Sequence, residues 1–139
     1  MFRTDLEYKE VIPGCLWQLT HPLIYDYWRY GYKRRIIVPA GYYTDFLSLP
    51  LLSKAIFTKD GAGKWASVIH DYCYVALQDE FTQKQADKIF RQALRNDPEK
   101  PTYLTQLLFY TAVRLGGYTT WQKRFQTRQA LIKKLTGGN

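Results

Sequence analysis

A chain of 139 residues, 46% hydrophobic and 17% aromatic with 23% charged, has the length and apolar content for one packed domain, and its composition argues against disorder. Two cysteines are too few for a disulfide scaffold or a thiolate-built zinc site. No apolar run reaches the roughly 18–20 residues of a membrane span, and Met1-Phe2-Arg3-Thr4-Asp5 lacks a basic-then-apolar signal pattern, so a soluble, intracellularly made domain over residues 1–139 is expected.

The first half, residues 1–50, reads as mainly β structure and structured loop. Residues 15–19, 23–27 and 34–38 are short runs rich in aromatic and β-branched side chains. Pro13-Gly14, His21-Pro22 and Gly31 fall between them as turn signals. Tyr25, Tyr27, Trp28, Tyr30 and Tyr32 crowd this region and are expected to form one sheet face with a wet edge, since each ring keeps a polar handle. Residues 38–50, bracketed by Pro39 and Pro50, have neither strand nor helix period and read as an extended, structured loop.

The second half, residues 64–135, reads as helical. A first helix is expected over 64–77, after Asp60-Gly61-Ala62-Gly63. A second starts at Thr82, where Gln85 three positions on completes a capping-box pattern. Its apolar stripe is Ala86, Ile89, Phe90, Ala93 and Leu94, and Asn96-Asp97-Pro98 ends it. A third follows Pro101, carries Leu104, Leu107, Leu108 and Leu115 as its apolar side, and is expected to stop at Gly116-Gly117. A fourth would begin near Thr119 or Thr120 and bury Trp121, Phe125, Leu131, Ile132 and Leu135. The fold class is therefore α+β, a small antiparallel sheet packed against three to four helices.

The first helix carries the polar residues that need explaining. Its apolar and aromatic side chains occupy every side at 100° per residue, the pattern of a buried helix. Yet His70 and Asp71 lie at its centre on adjacent faces. A buried imidazole or carboxylate must find a metal, hydrogen bonds or water. Asp87, flanking the stripe of the second helix, is placed to hold one nitrogen of His70 and fix its tautomer. Asp45, in the loop with Thr44 and Ser48, is a further carboxylate that could converge, and Asp71 lies over Ser67 and Tyr74 on its side of the helix. These residues supply a general base, an orienting acid and one or two hard oxygen ligands, an inventory that suits activation of water with or without a divalent cation. The same residues also suit a satisfied core network, and Asp45 and Ser48 could bond their own loop backbone.

Charge is distributed unevenly. Of the net +8, residues 101–139 contribute Arg114, Lys123, Arg124, Arg128, Lys133 and Lys134 with no acidic residue. Residues 114–134, with Lys123, Arg124 and Arg128 at their centre, could bind an anionic surface such as lipid, nucleic acid or an acidic protein. A solvated helix face serving only solubility accounts for the same pattern.

Four motifs in order resemble the phage and prophage family catalogued as domain of unknown function 1353. They are a Val-Pro-x-Gly-aromatic-x-Thr-Asp-x-x-Ser-x-Pro loop at 38–50, Ala-x-x-x-His-Asp-x-x-Tyr at 66–74, Ala-Asp-x-x-Phe at 86–90 and an Ala-Val-Arg ending over Ala112 to Gly116. The resemblance implies a phage or prophage origin, a place in the host cytoplasm or the virion, and phage structural proteins as partners; it brings no established activity. Locally, His70-Asp71-Tyr72-Cys73-Tyr74 is similar to the His-Asp-x-Cys-Tyr helix of secreted phospholipases A2. That likeness implies His70 as the base activating water, Asp71 as a calcium ligand and Asp87 as the orienter of His70. The glycine-rich calcium loop and the bracing disulfides have no counterpart here, and Asp45 would have to replace the loop's ligands. A His-Asp phosphohydrolase set fits poorly, because the other histidine, His21, precedes a proline in β-like sequence. The functional expectation is a small hydrolase acting on an ester or phosphoester of the host envelope. The alternative is a non-enzymatic virion, tail-associated or host-interaction protein.

Overall fold

The computed structural model describes residues 1–14, 16–46 and 62–135, with side chains described throughout these except at 117–120, 122–129, 131 and 135. In chain order these residues form β1 (Tyr8–Ile12), β2 (Leu16–Leu19), β3 (Leu23–Arg29), β4 (Tyr32–Val38), β5 (Tyr43–Thr44), α1 (Lys64–Ala76), α2 (Gln83–Asn96) and α3 (Tyr103–Leu135). The α+β class is as expected, but the strands divide into two antiparallel sheets, ordered β1-β2-β5 and β3-β4.

β1 and β5 are additions to the expected strands. β1 is exposed over most of its length and carries a register irregularity between Glu10 and Ile12, so it lacks the burial alternation that marks a strand in sequence. β5 is two residues long, held by pairing Tyr43 with Gln18 and Thr44 with Trp17.

The β3-β4 hairpin turns through Tyr30 (φ 51°) and Gly31 (φ 78°), two successive left-handed residues that match the right-handed twist of the strands. Side chains alternate across it. Leu23, Tyr25, Tyr27, Ile36 and Val38 are buried, whereas Trp28, Tyr30 and Tyr32 are exposed. The aromatic cluster is therefore split between the core and the solvent, because the period of two cannot place neighbours Tyr27 and Trp28 on one face.

Asp26, directly opposite Arg35, is buried on the outer side of this hairpin. Its carboxylate accepts from Arg35 Nε (2.7 Å) and Nη2 (3.1 Å) and from Arg3 Nε (2.8 Å), with Lys33 Nζ at 3.5 Å. The Arg35 guanidinium, helped by Arg3, holds this carboxyl well below the usual carboxylate range against the opposing effect of burial. The other edge of β3 is occupied as well. Arg3 N donates to Ile24 O (2.8 Å), Asp26 N donates to Met1 O (2.9 Å), and the Gln92 amide takes Trp28 N (3.2 Å) while donating to Trp28 O (3.1 Å).

α1 is the buried central helix its composition implies, with Ala66, Ser67, Val68, Ile69, His70, Asp71, Cys73, Tyr74 and Val75 all buried. Its N-cap, Gly63, has no side chain to offer. The orphan amides of its first turn are met from the α2-α3 connection instead. Asp97 Oδ2 accepts from Ala66 N (3.1 Å) and Glu99 Oε1 accepts from Lys64 N (3.0 Å). α2 begins as expected, with Thr82 Oγ1 accepting from Gln85 N (3.2 Å) and Gln85 Oε1 from Thr82 N (2.9 Å). The expected stripe of Ala86, Ile89, Phe90, Ala93 and Leu94 is buried.

The expected break at Gly116-Gly117 is not present: α3 runs for 33 residues straight through both glycines. A glycine in a helix interior costs about 1 kcal/mol relative to alanine, and with no proline or turn residue following, the backbone ladder on either side outweighs that cost. The fourth expected helix is thus the second half of α3. Its inward face also differs from the expected one. Phe109 and Val113 are buried, while Leu104, Leu108 and Leu115 are exposed. Strands and helices together build one hydrophobic cluster, with Leu23, Tyr25, Ile36 and Val38 from the sheet and Val68, Ile69, Phe90, Leu94 and Phe109 from the helices. Each such side chain contributes about 1.5–3 kcal/mol on burial. No helix among the described residues is long and apolar enough to cross a membrane.

Asp97 makes stability pH-dependent. Burial pushes its carboxyl up to about 6, against the backbone N–H groups of Ala66 and Glu99 that favour the charged form. The folded state therefore keeps a proton that the unfolded chain releases near 3.8. This contribution to stability is unchanged below that pH, falls as pH rises toward 6, and levels off above it, a change of about 2–3 kcal/mol. Denaturant titrations of the protein and of Asp97→Asn between pH 4 and 7 check this. The difference in stability between them is expected to move against the natural protein as pH rises, and a flat difference would contradict it.

A candidate functional site on helix α1

His70 and Tyr74 are one turn apart on α1 and share a face. Both reach Asp87, which α2 carries beside its apolar stripe. Asp87 Oδ1 lies 2.8 Å from His70 Nε2 and accepts from Tyr74 Oη at 2.6 Å, while Oδ2 accepts from Arg114 Nη1 at 2.8 Å. A single carboxylate thus joins all three helices. Asp87 is completely buried, His70 is 5% exposed, and the Arg114 side chain is 36% exposed. The imidazole is held between the rings of Tyr74 (centroids 4.2 Å apart) and Phe90 (4.6 Å), and Tyr74 meets Trp121 edge-on at 4.8 Å.

Asp71, on the adjacent face of α1, has different company. It is fully buried and accepts from Tyr42 Oη at 3.0 Å, and the Tyr42 ring stands perpendicular to Tyr72 at 5.1 Å. This contact ties the loop after β4 to the centre of α1. Thr44 is buried, and its hydroxyl accepts from Phe46 N at 2.9 Å, so its role is to shape the loop at a residue with φ 62°. Asp45 is half-buried. Ser48 lies outside the described residues, as do the side chains of Lys123, Arg124 and Arg128.

The structure brings His70 and Asp87 together as expected, places Tyr74, expected beside Asp71, on Asp87, and gives Asp71 the Tyr42 hydroxyl as a partner. Two contributors escape sequence reading. Arg114 looks like one more member of the basic C-terminal run, yet its place beside buried Val113 and the need of a buried Asp87 for a cation both point inward. Tyr42 carries no signal beyond its position in the loop motif. Among the described residues no three His, Cys, Asp or Glu side chains converge as a metal site, so a cation on Asp71 and Asp45 would need ligands from elsewhere.

Chemically, the set contains one titratable base and groups that orient it. Burial first, and the bond to Asp87 second, raise the Tyr74 phenol, which keeps it a neutral donor to the carboxylate. Burial likewise pushes the Cys73 thiol up, so this cysteine is a packing residue and no nucleophile. With Nε2 committed to Asp87, acid–base work by His70 would use Nδ1. Asp87, held by Arg114 on its other oxygen, fixes the orientation of the ring.

An α+β fold with a buried histidine–carboxylate pair, joined by a partly exposed guanidinium from the third helix, characterises this domain. The model of a family described as "Protein of unknown function (DUF1353)" matches residues 17–113, and the chain belongs to that family. The match spans Tyr42, His70, Asp71, Tyr74 and Asp87 and ends one residue before Arg114. No curated protein and no solved structure matches the chain.

Proposed function

We propose that this chain is a small phage-encoded hydrolase in which His70 activates a water molecule while Asp87 fixes the ring. The 2.8 Å contact between His70 Nε2 and Asp87 Oδ1 carries the reading. It supplies the orienting carboxylate that a histidine base requires, in a helix whose His-Asp-x-Cys-Tyr element is similar to that of phospholipases A2. Tyr74 and Arg114 hold the carboxylate in place. Asp71, with Asp45, is the proposed binding point for a divalent cation such as calcium, and the substrate class is an ester or phosphoester of the host envelope. The basic stretch at 114–134 would draw the protein to an anionic surface.

The test is hydrolysis of a chromogenic carboxylic ester and a chromogenic phosphodiester, each with calcium, magnesium, zinc or a chelator. His70→Gln is expected to lower kcat by about 10²–10⁴-fold with thermal stability changed far less. Absence of hydrolysis on every substrate class and metal, or an unaltered kcat in His70→Gln, would overturn it.

A second reading is favoured by the burial of His70 and Asp87. In it the protein is a virion, tail-associated or host-interaction component, and the network is a lock between helices. His70→Gln would then lower the Tm and leave no activity to lose.

A further inference from the structure

The β3-β4 hairpin presents cations and uncovered aromatic rings together. Trp28, Tyr30 and Tyr32 are 62%, 81% and 68% exposed, along a stretch that reads Trp28-Arg29-Tyr30-Gly31-Tyr32-Lys33-Arg34-Arg35. Beside it lies an open groove of about 880 Å³, walled by Tyr30, Tyr32, Arg29 and Arg34 from the hairpin and by Glu80 and Phe81 from the α1-α2 turn. The Arg29 guanidinium is already stacked, 5.1 Å from the Phe81 ring and 5.4 Å from the Tyr30 ring. Neither Arg29 nor Arg34 is ion-paired among the described residues. The hairpin is also held in place, since the Gln92 amide grips both backbone groups of Trp28.

We propose that this groove binds single-stranded nucleic acid, with bases stacked on Tyr30 and Tyr32 and phosphates held by Arg29, Lys33 and Arg34. Charge complementarity commits the surface to a polyanion, because the described residues lining the groove include Arg29, Lys33, Arg34 and Arg35 against one carboxylate, Glu80, while Asp26 pairs with Lys33, Arg35 and Arg3. The rings narrow the choice further. Single strands offer π faces to aromatic side chains, whereas a duplex stacks its bases away. The binding needs neither the His70 network nor the basic stretch at 114–134.

Fluorescence anisotropy with a labelled 20-mer of deoxythymidine, its uridine counterpart and a duplex of mixed sequence tests the proposal. Tyr30→Ala and Tyr32→Ala remove exposed rings of the groove and should leave the thermal melt unchanged. Each is expected to weaken single-strand binding roughly tenfold. Arg34→Ala should weaken it and reduce the salt slope, log K against log salt, by about one. Equal affinity for duplex and single strand, or affinity indifferent to both ring substitutions, overturns it. So does binding lost on replacing Lys123, Arg124 and Arg128 by alanine but kept in the hairpin variants. Binding to phosphatidylserine-containing vesicles with none to either oligonucleotide overturns it in favour of a membrane surface.

Discussion

Asp87→Ala is expected to destabilise the fold by about 3–5 kcal/mol, read from urea unfolding followed by tryptophan fluorescence. Three donors lose their acceptor at once, and two of them, His70 and Tyr74, are buried. Arg114 is partly exposed and can turn outward, so its freed charge adds little. The opposite truncation is milder for the same reason. Arg114→Ala leaves Asp87 bonded to the imidazole and the phenol. About 1–3 kcal/mol is expected there. A double-mutant cycle between the two positions isolates their coupling. If Arg114→Ala cost as much as Asp87→Ala, the guanidinium would be the centre of the network and the carboxylate an accessory.

Gly63→Ala is expected to cost about 2–4 kcal/mol through two separable effects. Gly63 has φ 107°, a conformation an L side chain adopts only with strain. A Cβ there would also stand 3.2 Å from Phe109 Cε2 and 3.3 Å from Leu94 Cδ2, where α2 and α3 close over the start of α1. Gly41→Ala provides the comparison. Its φ is 88°, and its added Cβ would meet nothing nearer than Gln18 Nε2 at 4.0 Å, so strain alone operates and about 1 kcal/mol is expected. Equal losses at the two positions would remove packing from the account.

What the sequence disclosed was local. The capping box at Thr82, the exhausted helix at Asn96, the glycine of the hairpin turn and the all-round apolar α1 each depend on residues a few positions apart, and all appear in the structure. The proximity of His70 and Asp87 was legible too, because two antiparallel helices with readable faces leave little choice of neighbour. What stayed hidden depends on distant partners. β5 exists because β2 is there to pair with it. The cap of α1 comes from Asp97 and Glu99, more than thirty residues on, and nothing in residues 60–66 announces it. The leucines of α3 have the spacing of a core stripe, yet Phe109 and Val113 face inward; periodicity names a face and leaves its direction open. The glycine pair in α3 shows the converse, a stop signal overruled by the helix continuing on both sides.

The occupied flank of β3 bears on how this molecule behaves in company. An unpaired strand invites another chain to extend the sheet. Here the backbone of residues 1–3 and one glutamine amide fill that side of β3, which leaves β4 as the open flank of the hairpin among the described residues. β4 carries Lys33, Arg34 and Arg35 in succession, and a second copy approaching it edge to edge would bring the same three positive charges against them. Mutual repulsion thus protects an aromatic, otherwise sticky ribbon from polymerising.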